Sequence, residues 1–171
     1  PTIALSREGD TLASNEQGKN VQVWNLDGDA VPSSLALIPV KRPVQTLAVS
    51  ADGRWVAGAA GNLIYVWDLK KPESHDVPVE LAEHPEFVTH LAFSVGGEWL
   101  VSADLKGTVR TWLITAAGPE LAARQVDERP PKVLALAVSG EHVAVGTAES
   151  VGVRGGVSVW RLGEEKGVGD E

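Results

Sequence analysis

The sequence predicts an all-β fold built from four copies of one unit. The clearest copy, residues 47–69, reads LAVSADGRWVAGAAGNLIYVWDL: an apolar strand ends in a serine, a turn follows, and two more strands close on a tryptophan. The repeated serines are 44, 44 and 45 residues apart, at Ser6, Ser50, Ser94 and Ser139. The closing tryptophans are 43, 45 and 48 residues apart, at Trp24, Trp67, Trp112 and Trp160. A period of about 40–45 residues with a closing tryptophan indicates the four-stranded blades of a β-propeller.

Each unit divides into strands and turns in the same way. Runs rich in Val, Ile, Leu and Trp are separated by Gly, Asp and Asn clusters, which favour turns. In the first unit we predict strands at 3–6, 11–14, 21–26 and 34–38. The predicted outer strands of the second and third units lie at 77–81 and 121–126. The predicted domain is a propeller segment over 1–162, with blades at 3–38, 44–81, 87–126 and 133–162. The acidic, Gly-rich tail at 163–171 is expected to be disordered.

The strand count leaves the closure of the propeller open. Three units carry four strands each and the last carries three, so the sequence predicts fifteen strands. Known propellers contain about four to eight blades. The chain could therefore be an excised half of a larger propeller, one of two arcs that close an eight-bladed ring, or a tight four-bladed ring. The absence of methionine favours a part of a longer protein or a processed chain.

Composition excludes several classes of function. The chain has no cysteine, so disulfides, thiolate metal sites and thiol catalysis cannot occur. Its net charge of −8 is scattered along the sequence, which disfavours nucleic acid and favours a neutral or cationic partner. It contains no apolar run of about 18 residues and no recognisable signal peptide. We expect a cytoplasmic protein that binds neither nucleic acid nor membrane.

The repeats resemble those of the WD-repeat (WD40) family over nearly the whole chain, up to about Leu162. The Trp-Asp pair survives only as Trp67-Asp68. The other units end in Trp24-Asn25, Trp112-Leu113 and Trp160-Arg161. The family's Gly-His pair is kept only in part, as Glu83-His84.

This resemblance implies a structural role for a set of polar residues. Blades of the family are often held by a buried histidine, serine, aspartate and tryptophan. In the third unit His84, Ser102 and Trp112 match three of these, while the aspartate position is Lys106, with Asp104 as a substitute two residues earlier. In the second unit Ala57 stands in place of the serine. The residues expected to be structural are Trp24, Trp67, Asp68, His84, Ser102, Trp112 and Trp160.

The resemblance also implies a binding surface around the central channel, where propellers of this family bind proteins or peptides. The corresponding positions flank the start of each inner strand or precede the hairpin aspartate. Beside the inner strands they are Arg42, Pro43, Gln45, Phe87, Thr89, Lys132 and Leu134, and in the hairpins they are Gln17, Ala60 and Leu105. Phe87 and Leu105 are apolar where solvent is expected, so each is either a partner contact or packed beneath a loop.

The sequence gives little sign of catalysis or metal binding. His75, His90 and His142 are scattered without ligand spacing, and no Gly-x-Ser-x-Gly nucleophile motif is present. The core inner-strand sequences IALS, LAVS, LAFS and LALAVS carry no titratable side chain. We therefore expect a non-catalytic scaffold that binds a protein or peptide, without cofactor or metal, as a module of a larger multidomain protein. The alternatives are a propeller enzyme with a channel site, or a homodimer in which two arcs close one ring through their open blade edges.

Overall fold

The computed structural model describes residues 2–16, 20–27, 32–81, 84–115, 117–120, 133–148 and 155–162. These residues form fifteen strands in four antiparallel sheets, and the strands of each sheet follow one another in chain order. The predicted all-β architecture of four propeller blades is therefore confirmed.

The four sheets are the four blades. Blade 1 contains β1 (Thr2–Leu5), β2 (Thr11–Glu16), β3 (Asn20–Asn25) and β4 (Ser33–Pro39). Blade 2 contains β5 (Thr46–Val49), β6 (Trp55–Ala60), β7 (Leu63–Asp68) and β8 (Val79–Leu81), with a short 3-10 turn at Pro72–Ser74. Blade 3 contains β9 (Val88–Phe93), β10 (Trp99–Asp104), β11 (Val109–Thr115) and β12 (Gly118–Glu120). Blade 4 contains β13 (Val133–Ser139), β14 (His142–Thr147) and β15 (Gly156–Arg161).

The outer strands depart most from the prediction. In blade 3 the outer strand lies at Gly118–Glu120, whereas the predicted strand at 121–126 lies outside the described residues. In blade 2 the outer strand begins at Val79 rather than at residue 77, because Pro78 has no N–H to donate to a ladder. The predicted tail at 163–171 also lies outside the described residues.

The repeated serine closes the turn between the first and second strands of blades 1, 2 and 3. Its hydroxyl oxygen accepts a hydrogen bond from the backbone N–H five residues later, at 3.0, 2.9 and 3.1 Å in the pairs Ser6–Thr11, Ser50–Trp55 and Ser94–Trp99. Its backbone carbonyl accepts from a glycine three residues later, and that glycine has a positive φ, as at Gly53 and Gly97. The period of 44 residues in blades 1 to 3 is therefore the spacing of one Ser-x-x-Gly turn in each of these blades.

Each blade has two different faces, and the blades stack through them in one direction. The face with the closing tryptophan is called here the tryptophan face, and the opposite face, lined mainly by alanine and valine, is called the small-residue face. The small-residue face of each blade packs against the tryptophan face of the next. The first interface joins Ala13, Val21 and Val23 to Leu47, Val56 and Trp67. The second joins Ala57, Ala59 and Val66 to Leu91, Leu100 and Trp112. The third joins Val101, Ala103 and Val109 to Val143, Val145 and Trp160.

The described blades form an open arc. The inner strands β1, β5, β9 and β13 contact one another in chain order, and among the described residues no comparable contact joins β13 back to β1. Ile3 on β1 is 72% exposed. A tight four-bladed ring, one of the three closures that the sequence left open, is therefore wrong for this chain.

A buried chain of polar groups joins the strands of blade 3. The Trp112 indole N–H donates to Ser102 Oγ over 2.9 Å, Ser102 Oγ lies 2.7 Å from His84 Nε2, and His84 Nδ1 lies 3.4 Å from Asp104 Oδ2. Because a carboxylate only accepts, the proton sits on Nδ1 and Nε2 accepts from the serine hydroxyl. Asp104 also accepts from the backbone N–H of Lys106, over 2.9 Å. Asp104, rather than the Lys106 position, therefore completes the set.

Blade 2 lacks this chain because a glycine replaces the serine. The register places Gly58, not Ala57, at the position of Ser14 and Ser102, so the sequence assignment was one residue off. A Cβ on Gly58 would lie 3.0 Å from the ring of Trp67. Among the described residues the Trp67 indole N–H finds no hydrogen-bond partner. Blade 2 relies on ring packing where blade 3 relies on hydrogen bonds.

The Trp67-Asp68 pair connects the two ends of the blade 2 hairpin. Arg54 donates two hydrogen bonds to the Asp68 carboxylate, over 3.0 and 2.7 Å. The hydrogen bond from Arg54 holds the pKa of Asp68 below its usual value. The Arg54 guanidinium also lies over the Trp55 ring, 4.6 Å from its centroid. The aspartate of the Trp-Asp pair thus fixes Arg54 against the next blade.

The buried histidine predicts a specific loss of stability in acid. Burial lowers the pKa of His84 to about 4, from the 6.5 of the unfolded chain. The unfolded state binds more protons between these values, so stability falls as the pH drops through this window, by about 2 kcal/mol between pH 7 and pH 5. Urea unfolding of His84→Gln should show this pH dependence reduced by that amount. His142→Gln, which removes an exposed histidine, should keep the pH dependence of the unmodified chain. Equal pH dependence in all three proteins would contradict the account.

The close approach between blades 1 and 2 predicts unequal effects of one substitution at two equivalent turns. Gly53 and Gly97 have φ of 67° and 74°, so alanine is strained at both. A Cβ on Gly53 would lie 2.2 Å from Thr11 Oγ1 across the interface, whereas one on Gly97 would meet nothing closer than 3.8 Å. Gly53→Ala should therefore cost about 1–3 kcal/mol more than Gly97→Ala in urea unfolding. Equal costs would show that the turn of blade 2 does not pack as described.

Candidate functional site

The candidate binding residues lie at the end of the blades where the hairpins between second and third strands are found. Phe87 precedes β9, Leu105 lies in the hairpin between β10 and β11, and Gln45 precedes β5. Arg42 and Pro43 lie in the exposed segment before Gln45. Gln17 and Lys132 lie outside the described residues.

Backbone hydrogen bonds bring four residues of blades 2 and 3 into one surface. The Gln45 side-chain oxygen accepts from Gly61 N–H over 2.8 Å, and Gly61 O accepts from Val88 N–H over 2.9 Å. The Phe87 ring lies 3.9 Å from the place of a Cβ on Gly61, and Phe87 O accepts from Leu105 N–H over 2.9 Å. We call Gln45, Gly61, Phe87 and Leu105 the blade 2–3 rim.

The rim presents apolar side chains to solvent from a fixed backbone. Phe87 is 59% exposed and Leu105 is 41% exposed, so neither is packed beneath a loop. The two backbones are joined by the hydrogen bond from Leu105 N–H to Phe87 O, and Val88, next to Phe87, donates to Gly61 O of blade 2. Such side chains can contact a partner with little ordering of the backbone, which lowers the entropic cost of binding.

An ion pair flanks the rim. Lys106 Nζ lies 2.5 Å from Glu86 Oε1, and the hydrogen bond that Lys106 donates to the Glu86 carboxylate raises the pKa of Lys106. The pair is exposed to solvent, so its net stabilisation is small. It places one charge of each sign beside the apolar centre of the rim.

Other predicted positions do not join the rim. Ala60 is buried and so was wrongly expected in this surface, because it packs in the interface between blades 1 and 2. Thr89 donates its hydroxyl hydrogen to Ala103 O over 3.3 Å and lies 2.8 Å from His90 Nδ1, so its hydrogen bonds are used within blade 3. Leu134 is exposed on β13 of the next blade.

The titratable groups of the described residues form no cluster of three His, Asp or Glu side chains that could hold a metal ion. His90 lies on β9, one residue outside the inner-strand core that the sequence defined. A polar cavity of about 180 Å³ lies at the opposite end of blades 2 and 3, lined in part by Asp52 and Arg54. Both groups are bonded within blade 2, Asp52 to Ser50 and Arg54 to Asp68.

Sequence reasoning missed Gly61 and the Glu86–Lys106 ion pair. Gly61 has a φ of 70° and, with Asn62, forms a two-residue hairpin turn. A Gly-Asn pair between two apolar strands is a recognisable signal for such a turn. The ion pair joins two loops and has no signal of its own in the sequence.

The repeats of this chain match a known family model and known repeat proteins. The model of the WD40 family (WD domain, G-beta repeat) matches residues 39–68 and 77–112. WD repeat-containing protein 1 of Rattus norvegicus is 29% identical over 154 residues, which cover 89% of this chain and 25% of the relative. Target of rapamycin complex subunit wat1 of Schizosaccharomyces pombe is 30% identical over 122 residues, covering 71% and 36%. The chain thus spans about a quarter to a third of the length of these relatives.

Solved structures share the fold at low sequence identity. A chain in the crystal structure of a mitotic checkpoint complex superposes with a TM-score of 0.64 at 23% identity, and the match covers 94% of this chain and 47% of that one. The computationally designed Ika4 protein superposes with a TM-score of 0.68 at 22% identity, covering 95% and 90%.

The matched segments end at Asp68 and at Trp112, within the third strands of blades 2 and 3. Blades 1 and 4 follow the same strand order with altered closing pairs. From its repeats and its sheets, this chain is a propeller segment built from WD40 repeats, two of which the family model matches.

Proposed function

We propose that this chain is a non-catalytic interaction module that binds a protein or peptide at the blade 2–3 rim. The observation that carries the proposal is the pair of exposed apolar side chains, Phe87 and Leu105, on backbones fixed by hydrogen bonds. Aromatic residues in such positions are enriched among the anchors of protein interfaces. The names of two similar chains, a target of rapamycin complex subunit and a mitotic checkpoint complex component, refer to assemblies and support this class of function.

The net charge of the chain limits the classes of partner that it can bind. A net charge of −8 repels a phosphate backbone and favours a neutral or cationic peptide. The described residues contain no helix with the length and hydropathy needed to cross a bilayer. We propose that the chain is cytoplasmic and that its protein partner contacts Phe87 with an apolar side chain. Further contacts, more distant from Phe87, would involve Arg42, Pro43, Thr89 and Leu134.

A second candidate function is assembly through the ends of the arc. Ile3 and Val157, on the two end blades, are among the most exposed apolar side chains of the described structure. Such exposure favours association, and a homodimer is the form of assembly developed below.

Peptide selection tests the rim directly. A phage-displayed library of random peptides is panned on the chain, and the enriched peptides are measured by fluorescence anisotropy against Phe87→Ser/Leu105→Ser. Loss of both anchors should weaken binding at least about tenfold, which corresponds to ~1.4 kcal/mol. Val77→Ser, which removes a still more exposed apolar side chain from the loop before β8, should bind as the unmodified chain does. Peptides that bind the double variant undiminished, while its thermal unfolding is unchanged, would exclude the rim as the site.

A further inference from the structure

The two end blades each expose a face that is buried everywhere else in the arc. Blade 1 exposes its tryptophan face, where Ile3 is 72% exposed, whereas Leu47, three residues before the repeated serine as Ile3 is, is 6% exposed in blade 2. Blade 4 exposes its small-residue face, where Val157 is 74% exposed, whereas Val21 at the equivalent position of blade 1 is fully buried. The chain thus carries one free face of each kind.

The free tryptophan face of blade 1 has the pattern of a packed one. Its register places Leu5 opposite Leu12 and Leu12 opposite Trp24. In blade 2 the same positions place Val49 opposite Val56 and Val56 opposite Trp67. Those three residues belong to the packed interface between blades 1 and 2. Blade 1 therefore exposes a tryptophan face of the same kind as the one that blade 2 packs against blade 1.

The free small-residue face of blade 4 has the pattern of the packed face of blade 1. Its register places Ala137 opposite Ala144 and Ala144 opposite Val159. In blade 1 the same positions hold Ala4, Ala13 and Val23, which pack against blade 2. Blade 4 therefore exposes a small-residue face of the same kind as the one that blade 1 packs against the tryptophan face of blade 2.

The two central rows of each free face contain no charged residue. The rows of the free face of blade 1 contain Ile3, Ser14, Gln22 and Leu37, and Leu5, Leu12 and Trp24. The rows of the free face of blade 4 contain Ala135, Gly146 and Val157, and Ala137, Ala144 and Val159. Burying these rows therefore requires no ion pair. The next row of the blade 4 face, Ser139, His142 and Arg161, lies at the turn end of the blade, where Arg161 donates to Glu141.

We propose that a second copy of this chain docks head to tail, with the tryptophan face of its blade 1 packed on the small-residue face of blade 4. This proposal rests on the self-association named under the proposed function and specifies which surfaces take part. It does not depend on the blade 2–3 rim. One such contact leaves one free face on each copy. When the two copies are related by a two-fold axis, a second identical contact buries these two faces as well. The product is a ring of eight blades, at the upper end of the size of known propellers.

The test uses one charged substitution on each free face. Ile3→Glu alters only the tryptophan face of blade 1, and Val159→Glu alters only the small-residue face of blade 4. Val77→Glu is the control, because Val77 is 76% exposed but lies outside both faces. The mass of each protein is measured by light scattering during size-exclusion chromatography from about 1 to 100 µM, because association depends on concentration.

The unmodified chain and Val77→Glu should reach twice the 18.0 kDa of one chain, and each face variant should be monomeric. A mixture of the two face variants should regain dimers, since each supplies the intact face that the other lacks. A monomeric unmodified chain, a dimer that survives both substitutions, or a mixture that stays monomeric would each overturn the proposal. Unchanged peptide binding by the monomeric Ile3→Glu would show that a failure of the dimer leaves the rim proposal intact.

Discussion

The structure depends on one contact that is repeated between successive blades: a face with a tryptophan packs on a face of alanine and valine. The large ring needs small residues opposite it, and close packing of this kind contributes much of the stability of a β-fold. Because the contact has a direction, each blade needs a predecessor and a successor of the same kind. The folding of one blade is therefore tied to its neighbours, as in other repeat proteins.

Local polar groups fix the geometry that this contact requires. The Ser-x-x-Gly turn sets where the second strand begins, and the hydrogen-bonded chain from Trp112 to Asp104 sets how the tryptophan of blade 3 is oriented. In blade 2 the closing tryptophan has no such partner, and Gly58 leaves room for its ring instead. Two different local solutions thus give the same interface.

The sequence predicted the parts of the fold that repeat. The spacing of Ser6, Ser50 and Ser94 reflects a hydrogen-bonded turn, so it could be read without a structure. Outer strands carry weak patterns because they are short and partly exposed, and in blade 3 the described part of the outer strand, Gly118–Glu120, precedes the predicted range. The blade 2–3 rim could be predicted only in part, because the contact of Phe87 with Gly61 crosses from one blade to the next.

One scaffold of stacked blades offers two kinds of surface. The rim lies at one end of the strands and is built from loops, whereas the free faces are the flat sides of the end blades. Closure of a ring would leave the rim of each copy at the mouth of a common channel. Peptide binding and assembly are then separate properties of separate surfaces, and a substitution in one surface should leave the other unaffected.

Disulfide trapping tests the central claim most directly, because the chain has no cysteine of its own. At the interface of blades 2 and 3, a Cβ on Gly97 would lie 3.8 Å from Ser50 Cβ, the mean separation in disulfides. The equivalent positions on the free faces are Gly9 and Ser139. Oxidised Gly9→Cys/Ser139→Cys should form a covalent dimer of twice the chain mass. A cross-linked monomer, or no cross-link at all, would contradict the packing of one arc on another.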